Sequence, residues 1–139
     1  MIEKAPISTI MTANVVTLKK GDSLTQAEQL FKQHRIRHIP VVENDTIIGM
    51  LSYTDLLRIS FADAVGIDDH DVEAMVYNMF TIEQVMKSSL VWVSPSNSIK
   101  KVAKILAEKE FHALPVVHQN KLVGIVTTTD LIKYLLKQF

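Results

Sequence analysis

Apolar and polar residues in the first third of the chain switch between a helical and an extended pattern. Apolar side chains recur at steps of three and four residues from Leu24 to Phe31, which predicts an amphipathic helix. Ser23 and Gln26 have the spacing of a capping box, so we expect this helix to begin after Ser23 and to end near His34.

Two continuous apolar runs follow this helix. They cover residues 38–43 and 47–52 and are separated by a short polar turn, which predicts a β-hairpin. Their uninterrupted apolar character indicates strands that are buried on both faces. Pro40 has no N–H to donate and therefore indicates a strand start or a sheet edge. Thr54 or Asp55 is expected to begin the next helix.

The second half of the chain repeats the first. A shift of 75 residues aligns the halves without a gap, placing Pro40 on Pro115 and Gly49 on Gly124. The same elements are therefore predicted twice. The first copy has a helical lead-in at 6–12 and a short strand at 15–18. The second has a lead-in capped by Thr81, followed by a strand at 91–93, a helix from about 98 to 109, strands at 113–118 and 121–127, and a helix at 129–138.

This order of elements predicts an α/β (α+β) protein made of two β-α-β-β-α repeats related by a pseudo-twofold axis. Residues 1–60 form the first motif, 61–80 a connecting segment and 81–139 the second motif. In the connecting segment, Val72, Met75, Val76 and Met79 have the spacing of an amphipathic helix. That helix either packs on its own module or contacts a second subunit or a mobile element controlled by a ligand.

Composition narrows the possible functions. The 139 residues include 15 basic and 15 acidic side chains and no cysteine. Balanced charge makes nucleic-acid binding unlikely, and the missing cysteines exclude a disulfide framework and fit a reducing compartment. We see no signal peptide and no apolar run of the roughly 20 residues that cross a bilayer. We therefore expect a cytoplasmic protein with no membrane partner.

One short motif, which occurs in each half, carries the candidate chemistry. Residues 49–55 and 124–130 both run from a glycine through two apolar residues to a hydroxyl residue and, three positions later, an aspartate. A buried strand that ends in such groups is expected to begin a helix there. The hydroxyl and carboxylate groups could cap its free N–H groups, or they could hold a sugar or a phosphate.

The repeated unit, the Pro-Val-Val strand and the Gly-φ-φ-Ser/Thr-x-x-Asp turn resemble the CBS (cystathionine-β-synthase) domain, and two tandem copies resemble a Bateman module. The resemblance covers the chain apart from the connecting segment. It implies a stand-alone regulatory module, not an enzyme. Such a module senses AMP, ADP, ATP or S-adenosylmethionine in a cleft between the motifs, requires no cofactor, and signals to an unknown regulated protein or through its oligomeric state.

The resemblance also implies which residues surround the ligand. Asp55 and Asp130 match the aspartates that contact ribose hydroxyls. The other candidate ligand-binding residues edge the base, ribose or phosphates: Val16, Arg37, His38, Pro40, Ser52, Thr54, Val91, His112, Ala113, Pro115, Thr127 and Thr129. Such modules usually form homodimers through the helices after the two aspartates, where the candidate apolar contacts are Leu56, Leu57, Leu131, Ile132 and Leu135.

Two alternatives remain open at these sites. Asp55 and Asp130 could be helix caps only, in a structural dimerisation or interaction module without nucleotide.

The segment from His34 to His38 carries two arginines, whereas Lys109 to Ala113 carries fewer cations, so we predict two unequal sites and leave their order open. No catalytic group set is recognisable, and no metal site is predicted at His34 and His38 or at the acidic cluster of residues 68–71.

Overall fold

The computed structural model describes residues 4–63, 77–109 and 111–139, with side chains described from 4–59, 77–109 and 111–139. Most of the predicted amphipathic helix in the connecting segment, and the acidic cluster at 68–71, lie outside the described residues. The elements follow one another in the order η1 (Ile7–Thr9), β1 (Leu18–Lys19), α1 (Leu24–His34), β2 (His38–Glu43), β3 (Thr46–Ser52), α2 (Tyr53–Asp63), α3 (Ile82–Val85), α4 (Ile99–Lys109), β4 (Ala113–His118), β5 (Lys121–Thr127) and α5 (Thr128–Leu136).

The mixed α and β content and the two copies of one set of elements agree with the predicted fold class. The first hairpin pairs β2 with β3 in antiparallel register from His38 opposite Ser52 to Glu43 opposite Thr46. The second hairpin repeats this register, from Ala113 opposite Thr127 onward. Both hairpins turn through two consecutive residues with positive φ, at 44–45 and at 119–120, which gives the tight reversal that a two-residue connection needs.

The helix boundaries follow from side-chain caps. Ser23 Oγ accepts a hydrogen bond from the Gln26 backbone N–H, and the Gln26 side chain accepts one in return from the Ser23 N–H, so the predicted capping box is confirmed. Thr81 and Gln84 form the same box at the start of α3. Helix α1 ends as predicted, with Arg35 in the left-handed conformation at φ 53°.

The short strands were predicted at the wrong positions. β1 comprises only Leu18–Lys19 and runs parallel to β2, with Leu18 opposite Val41. In the second copy, a single parallel bridge between Val93 and Val116 takes the place of that strand. Val16 and Val91 therefore lie outside regular strands. The periodicity of so short a run carries too little information to fix where a strand begins and ends.

The chain forms two compact units, and their boundaries differ from those of the sequence repeats. One unit comprises Val16–Leu90, which we call the first-hairpin unit because it contains β2 and β3. The other comprises Met1–Val15 with Val91–Phe139, and we call it the second-hairpin unit because it contains β4 and β5. The lead-in of each repeat thus packs with the hairpin of the other repeat.

Backbone hydrogen bonds fix each lead-in on its hairpin. In the second-hairpin unit, the Thr12 N–H donates to the Ile125 oxygen at 2.8 Å, and the Ile125 N–H donates back to the Thr12 oxygen at 3.0 Å. In the first-hairpin unit, Lys87 and Met50 exchange the same pair of bonds, each at 2.9 Å. Thr12 and Lys87 are equivalent positions in the repeat, so the exchange of lead-ins is reciprocal.

Each unit has its own core, and the lead-in contributes a fully buried isoleucine to it. Ile82 lies in the core of the first-hairpin unit with side chains of α1, β2 and β3. Ile7 lies in the core of the second-hairpin unit with side chains of α4, β4 and β5. Leu56, which we expected on a dimer surface, is fully buried in the first core, because it lies on the inner face of α2. None of the helices in the described ranges combines the length and apolar character that crossing a membrane requires.

Candidate ligand site

In each unit, the strand that ends at the motif hydroxyl passes directly into a helix. In the first-hairpin unit, Ser52 ends β3, and its Oγ accepts a hydrogen bond from the Asp55 N–H at 3.0 Å. In the second-hairpin unit, Thr127 ends β5, and its Oγ1 accepts from the Asp130 N–H at 3.1 Å. Both motif hydroxyls therefore cap the following helix, which confirms the capping role that the spacing suggested.

The two motif aspartates differ in their partners. Asp130 Oδ2 accepts from the Thr127 N–H at 3.0 Å and closes a complete capping box. Asp55 Oδ1 instead lies 3.7 Å from Arg58 Nη1, and the Asp55 side chain is only 11% exposed. Asp55 Oδ2 is buried and has no hydrogen-bond partner among the residues that the structure describes. The two sites are therefore unequal in the environment of their carboxylates.

Each aspartate has one oxygen that accepts no hydrogen bond from the described residues, but only the oxygen of Asp55 is buried. At Asp55 this oxygen is Oδ2. At Asp130 it is Oδ1, while Oδ2 makes the capping contact. A carboxylate oxygen without a donor is an acceptor that a ligand hydroxyl can satisfy.

The strand starts that we proposed as neighbours of the ligand lie beside these turns. The Tyr53 N–H, at the start of α2, donates to the Arg37 oxygen at 2.8 Å, and the Thr128 N–H donates to the His112 oxygen at 3.0 Å. His38 pairs with Ser52, and Ala113 pairs with Thr127. The fold therefore brings these positions to the hydroxyl and carboxylate end of each hairpin.

Burial divides the proposed site residues into two groups. Pro40 and Pro115 are buried within their hairpins, whereas the others keep part of their surface exposed. The most exposed are Arg37, Thr54, Val91, His112 and Thr129. In each repeat, the proposed residues are all in one unit. Those of the first repeat are in the first-hairpin unit, and those of the second repeat are in the second-hairpin unit.

Sequence reasoning missed two backbone neighbours of the motifs. Lys87 pairs with Met50, and Thr12 pairs with Ile125, so each lead-in residue lies beside a strand that ends at a motif hydroxyl. The 75-residue shift aligns Thr12 with Lys87 and could have identified them as an equivalent pair. It could not have shown which hairpin each one contacts, because the lead-ins are exchanged.

Sequence reasoning also missed a cavity in the second-hairpin unit. The cavity has a volume of about 390 Å³ and lies between η1 and α5. Its lining residues are Thr9, Ile10, Asp130, Lys133, Tyr134, Lys137 and Gln138. Positions 130, 133, 134 and 137 have the spacing of one helical face, which is the sequence pattern that could have grouped them. We call this space the α5 cavity.

No clear metal site accompanies these turns. Among the described residues, no group of three histidine, aspartate or glutamate side chains is placed to hold a metal ion.

Comparison with known proteins now adds to this geometry. The family model described as "CBS domain" matches the chain twice, over residues 7–62 and 82–137. The chain belongs to the CBS-domain family. The two matches form a tandem CBS pair, as the resemblance of the repeated motifs predicted, and each includes one Gly-φ-φ-Ser/Thr-x-x-Asp turn.

This CBS pair is similar to curated and solved relatives. It is 34% identical over 122 residues to the CBS domain-containing protein YhcV of Bacillus subtilis, covering 87% of this chain and 79% of that protein. A crystal structure of CBSX2 in complex with AMP has a TM-score of 0.79 at 24% identity, covering 96% of this chain and 98% of that one. The CBS domain pair of protein MJ0100, solved with 5′-methylthioadenosine and S-adenosyl-L-methionine, has a TM-score of 0.78 at 21% identity, covering 97% and 98%. At these identities, the two structures show that the CBS pair shares their fold.

Proposed function

We propose that this CBS pair is a non-catalytic regulatory module that binds an adenosyl ligand through Asp55 and Asp130. The observation that carries this proposal is the buried Asp55 Oδ2, which accepts no hydrogen bond from any described residue, and Asp130 is the equivalent carboxylate of the other unit. The vicinal hydroxyls of a ribose supply two O–H donors to such an acceptor. Two relatives of the same fold were solved with AMP or with S-adenosylmethionine and methylthioadenosine, which supports these compounds as the first ligands to test.

The burial of the Asp55 oxygen gives the proposal an energetic basis. A buried acceptor without a partner costs about 1–3 kcal/mol, so protein structures rarely keep one without a reason. A ligand hydroxyl that reaches this oxygen recovers that cost and adds its own hydrogen bond. Ser52 and Thr127 use their hydroxyls to cap the helices, so in our proposal they position the aspartates and border the ribose.

Ligand binding can act as a signal only if one conformation of the protein binds the ligand more tightly than another conformation does. We propose that the ligand changes the contacts of this module with a second copy of itself or with a regulated protein, in the cytoplasm.

A thermal-unfolding panel tests the binding proposal. At about 100 times its Kd, a ligand stabilises the native state by about 2.7 kcal/mol, which raises the Tm of a chain of this size on the order of 5–10 °C. We expect such a shift with at least one of AMP, ADP, ATP or S-adenosylmethionine, and a smaller shift with GMP. Asp55→Asn or Asp130→Asn should remove it, because the new amide group presents a donor where the ribose needs an acceptor.

Asp45→Asn is the matched control for this panel. Asp45 is an exposed hairpin residue with φ 68°, a conformation that asparagine adopts readily, and the substitution removes the same charge. It should leave the ligand shift intact. If all adenosyl compounds leave the Tm of the unsubstituted protein unchanged, the proposal is wrong, and the two carboxylates serve only the helix cap at Asp130 and the ion pair of Asp55 with Arg58.

The exposed apolar side chains of α5 favour the second candidate function, a dimerisation module. Ile132, Leu135 and Leu136 are 57%, 55% and 67% exposed, although most large apolar residues in the described part are buried or half-buried. Two identical copies of this helix can cover each other across a twofold axis, because such an interface joins the same patch of each subunit. We propose a homodimer formed through this surface and the helix after Asp55, where Leu57 is 48% exposed.

Leu135→Glu is expected to convert the dimer to a monomer, because it places a charge in the apolar contact. Sedimentation velocity would measure the change in mass. Ala107→Glu adds the same charge at an exposed position of α4 and should leave the dimer intact. Identical sedimentation of all three proteins would show that α5 is not the dimer contact.

A further inference from the structure

The lining of the α5 cavity includes two exposed lysines and one aspartate. Lys133 and Lys137 line it from one helical face, together with Tyr134 and Gln138. In the described part of the chain, neither lysine forms an ion pair. The volume of about 390 Å³ falls within the range of roughly 300–1,000 Å³ typical of small-molecule sites.

Asp130 lies at one end of the same helical face. Its Oδ1 is the oxygen that the capping box leaves without a donor. The Thr9 hydroxyl already donates to the Pro6 oxygen at 2.8 Å, so it can only accept from a ligand. The cavity therefore offers acceptors near Asp130 and cationic donors along the helix beyond it.

The equivalent face in the first-hairpin unit lacks this arrangement. The 75-residue shift places Arg58 on Lys133 and Ala62 on Lys137. Arg58 lies 3.7 Å from Asp55 and pairs with it, so its charge is partly neutralised, and Ala62 carries no charge. Two unpaired cations are thus a property of the second-hairpin unit alone, among the residues compared.

We propose that Lys133 and Lys137 bind the phosphates of the ligand whose ribose Asp130 holds, and that they select phosphorylated adenosine over S-adenosylmethionine. This inference rests on the function proposed above. At a rise of 1.5 Å per residue, the lysines lie roughly 4.5 Å and 10.5 Å along the helix from Asp130. Lys133 therefore meets the first phosphate after the ribose, and Lys137 meets the second. S-adenosylmethionine carries a sulfonium cation where AMP carries its phosphate, so the lysines repel it.

Titration calorimetry with adenosine, AMP, ADP and S-adenosylmethionine tests this inference. Each lysine–phosphate contact is expected to tighten binding by about tenfold or more, which gives the order ADP, AMP, adenosine. Lys133→Gln should weaken AMP and ADP alike. Lys137→Gln should weaken ADP and leave AMP nearly unchanged. Adenosine should bind equally to all of these variants, because it has no phosphate.

Two further variants separate specific contacts from general charge. Lys100→Gln with Lys101→Gln removes two charges from exposed positions of α4 in the same unit, and it should leave the affinity for ADP unchanged. Lys133→Arg keeps the charge and should retain most of the AMP affinity.

The outcomes distinguish the two proposals. If adenosine binds but ADP binds no more tightly, or if the α4 variant weakens ADP as much as the α5 variants do, the phosphate assignment is wrong while the adenosyl proposal stands. If S-adenosylmethionine alone binds, the phosphate assignment is likewise wrong and the adenosyl proposal stands. If none of adenosine, AMP, ADP and S-adenosylmethionine binds, both proposals are overturned.

Discussion

Replacing Ile7 by alanine is expected to destabilise the second hairpin, which is more than one hundred residues away in sequence, and to spare the first hairpin. Ile7 is fully buried in the core of the second-hairpin unit. The loss of a buried isoleucine side chain typically costs about 2–5 kcal/mol, because it removes apolar contacts and leaves a cavity. Hydrogen exchange should therefore lose protection in β4 and β5, while β2 and β3 keep most of theirs.

Ile82→Ala is the reciprocal variant. Ile82 is fully buried in the other core, so its replacement should lower protection in β2 and β3. The pair of variants tests the exchange of lead-ins directly. If Ile7→Ala weakened β2 and β3 instead, each repeat would fold on its own lead-in and the exchange would be wrong.

The second large effect is expected at the motif glycines. A Cβ at Gly124 would lie 2.7 Å from Met11 Sδ and 3.0 Å from the Thr12 carbonyl oxygen. The Thr12 backbone is fixed by its paired hydrogen bonds to Ile125 and cannot move aside without losing them. Gly124→Ala should therefore lower the free energy of unfolding by about 1–3 kcal/mol, the usual cost of overpacking. Chemical denaturation would measure it.

Gly49 offers a comparison in the same motif. The three atoms nearest to a Cβ there are all side-chain atoms of Met86, with its sulfur the nearest. Met86→Ala removes those atoms, so it should relieve most of the additional cost of Gly49→Ala in a double-mutant cycle. Met11→Ala should relieve less of the cost at Gly124, because the Thr12 oxygen remains.

Gly21→Ala is the control for both glycine variants, because no atom of the described residues lies within 4 Å of the added Cβ, apart from Gly21 itself and its two chain neighbours. It should be neutral or slightly stabilising, since alanine lowers the entropy of the unfolded chain. A cost at Gly21 equal to that at Gly124 would show that the methionine contacts do not explain the motif glycines.

The exchanged lead-ins explain, in this chain, why each CBS motif begins with a glycine. The glycine that opens each motif lies against the lead-in methionine of the other repeat, and the strand continues to the hydroxyl and the aspartate. The same strand therefore holds a lead-in at its middle and a candidate ligand site at its end. A change in the position of either lead-in would therefore shift the strand backbone two or three residues before the motif hydroxyl.

The strand and helix positions could be predicted because short-range patterns determine them. The capping boxes at Ser23 and Thr81 fix helix starts through contacts three residues apart. The hairpins follow from two apolar runs around a polar turn, and their strands β2, β4 and β5 begin and end as predicted. The short strands were placed wrongly, because three or four residues carry too little periodicity to fix where a strand begins and ends.

The candidate site was only partly predictable. The repeated motif identified Asp55 and Asp130 and the hydroxyl residues that cap their helices. It did not reveal that one aspartate completes a capping box while the other lies beside Arg58, because that choice depends on the rotamers of neighbouring side chains. Arg37 contributes its backbone oxygen to the turn, and the identity of its side chain could not predict that contact.

The sequence by itself determined the duplication, the family, the order of helices and strands, and the two aspartates at the candidate site, since all of these depend on local spacing and on the similarity of the two halves. Only the tertiary structure decided that the lead-in of each repeat packs on the hairpin of the other, and that Lys133 and Lys137 line a cavity with Asp130. The two lead-ins have nearly the same pattern, so either one suits either hairpin by sequence. Which lead-in packs on which hairpin depends on how the loops close in the folded chain. A local sequence pattern contains no information about that closure.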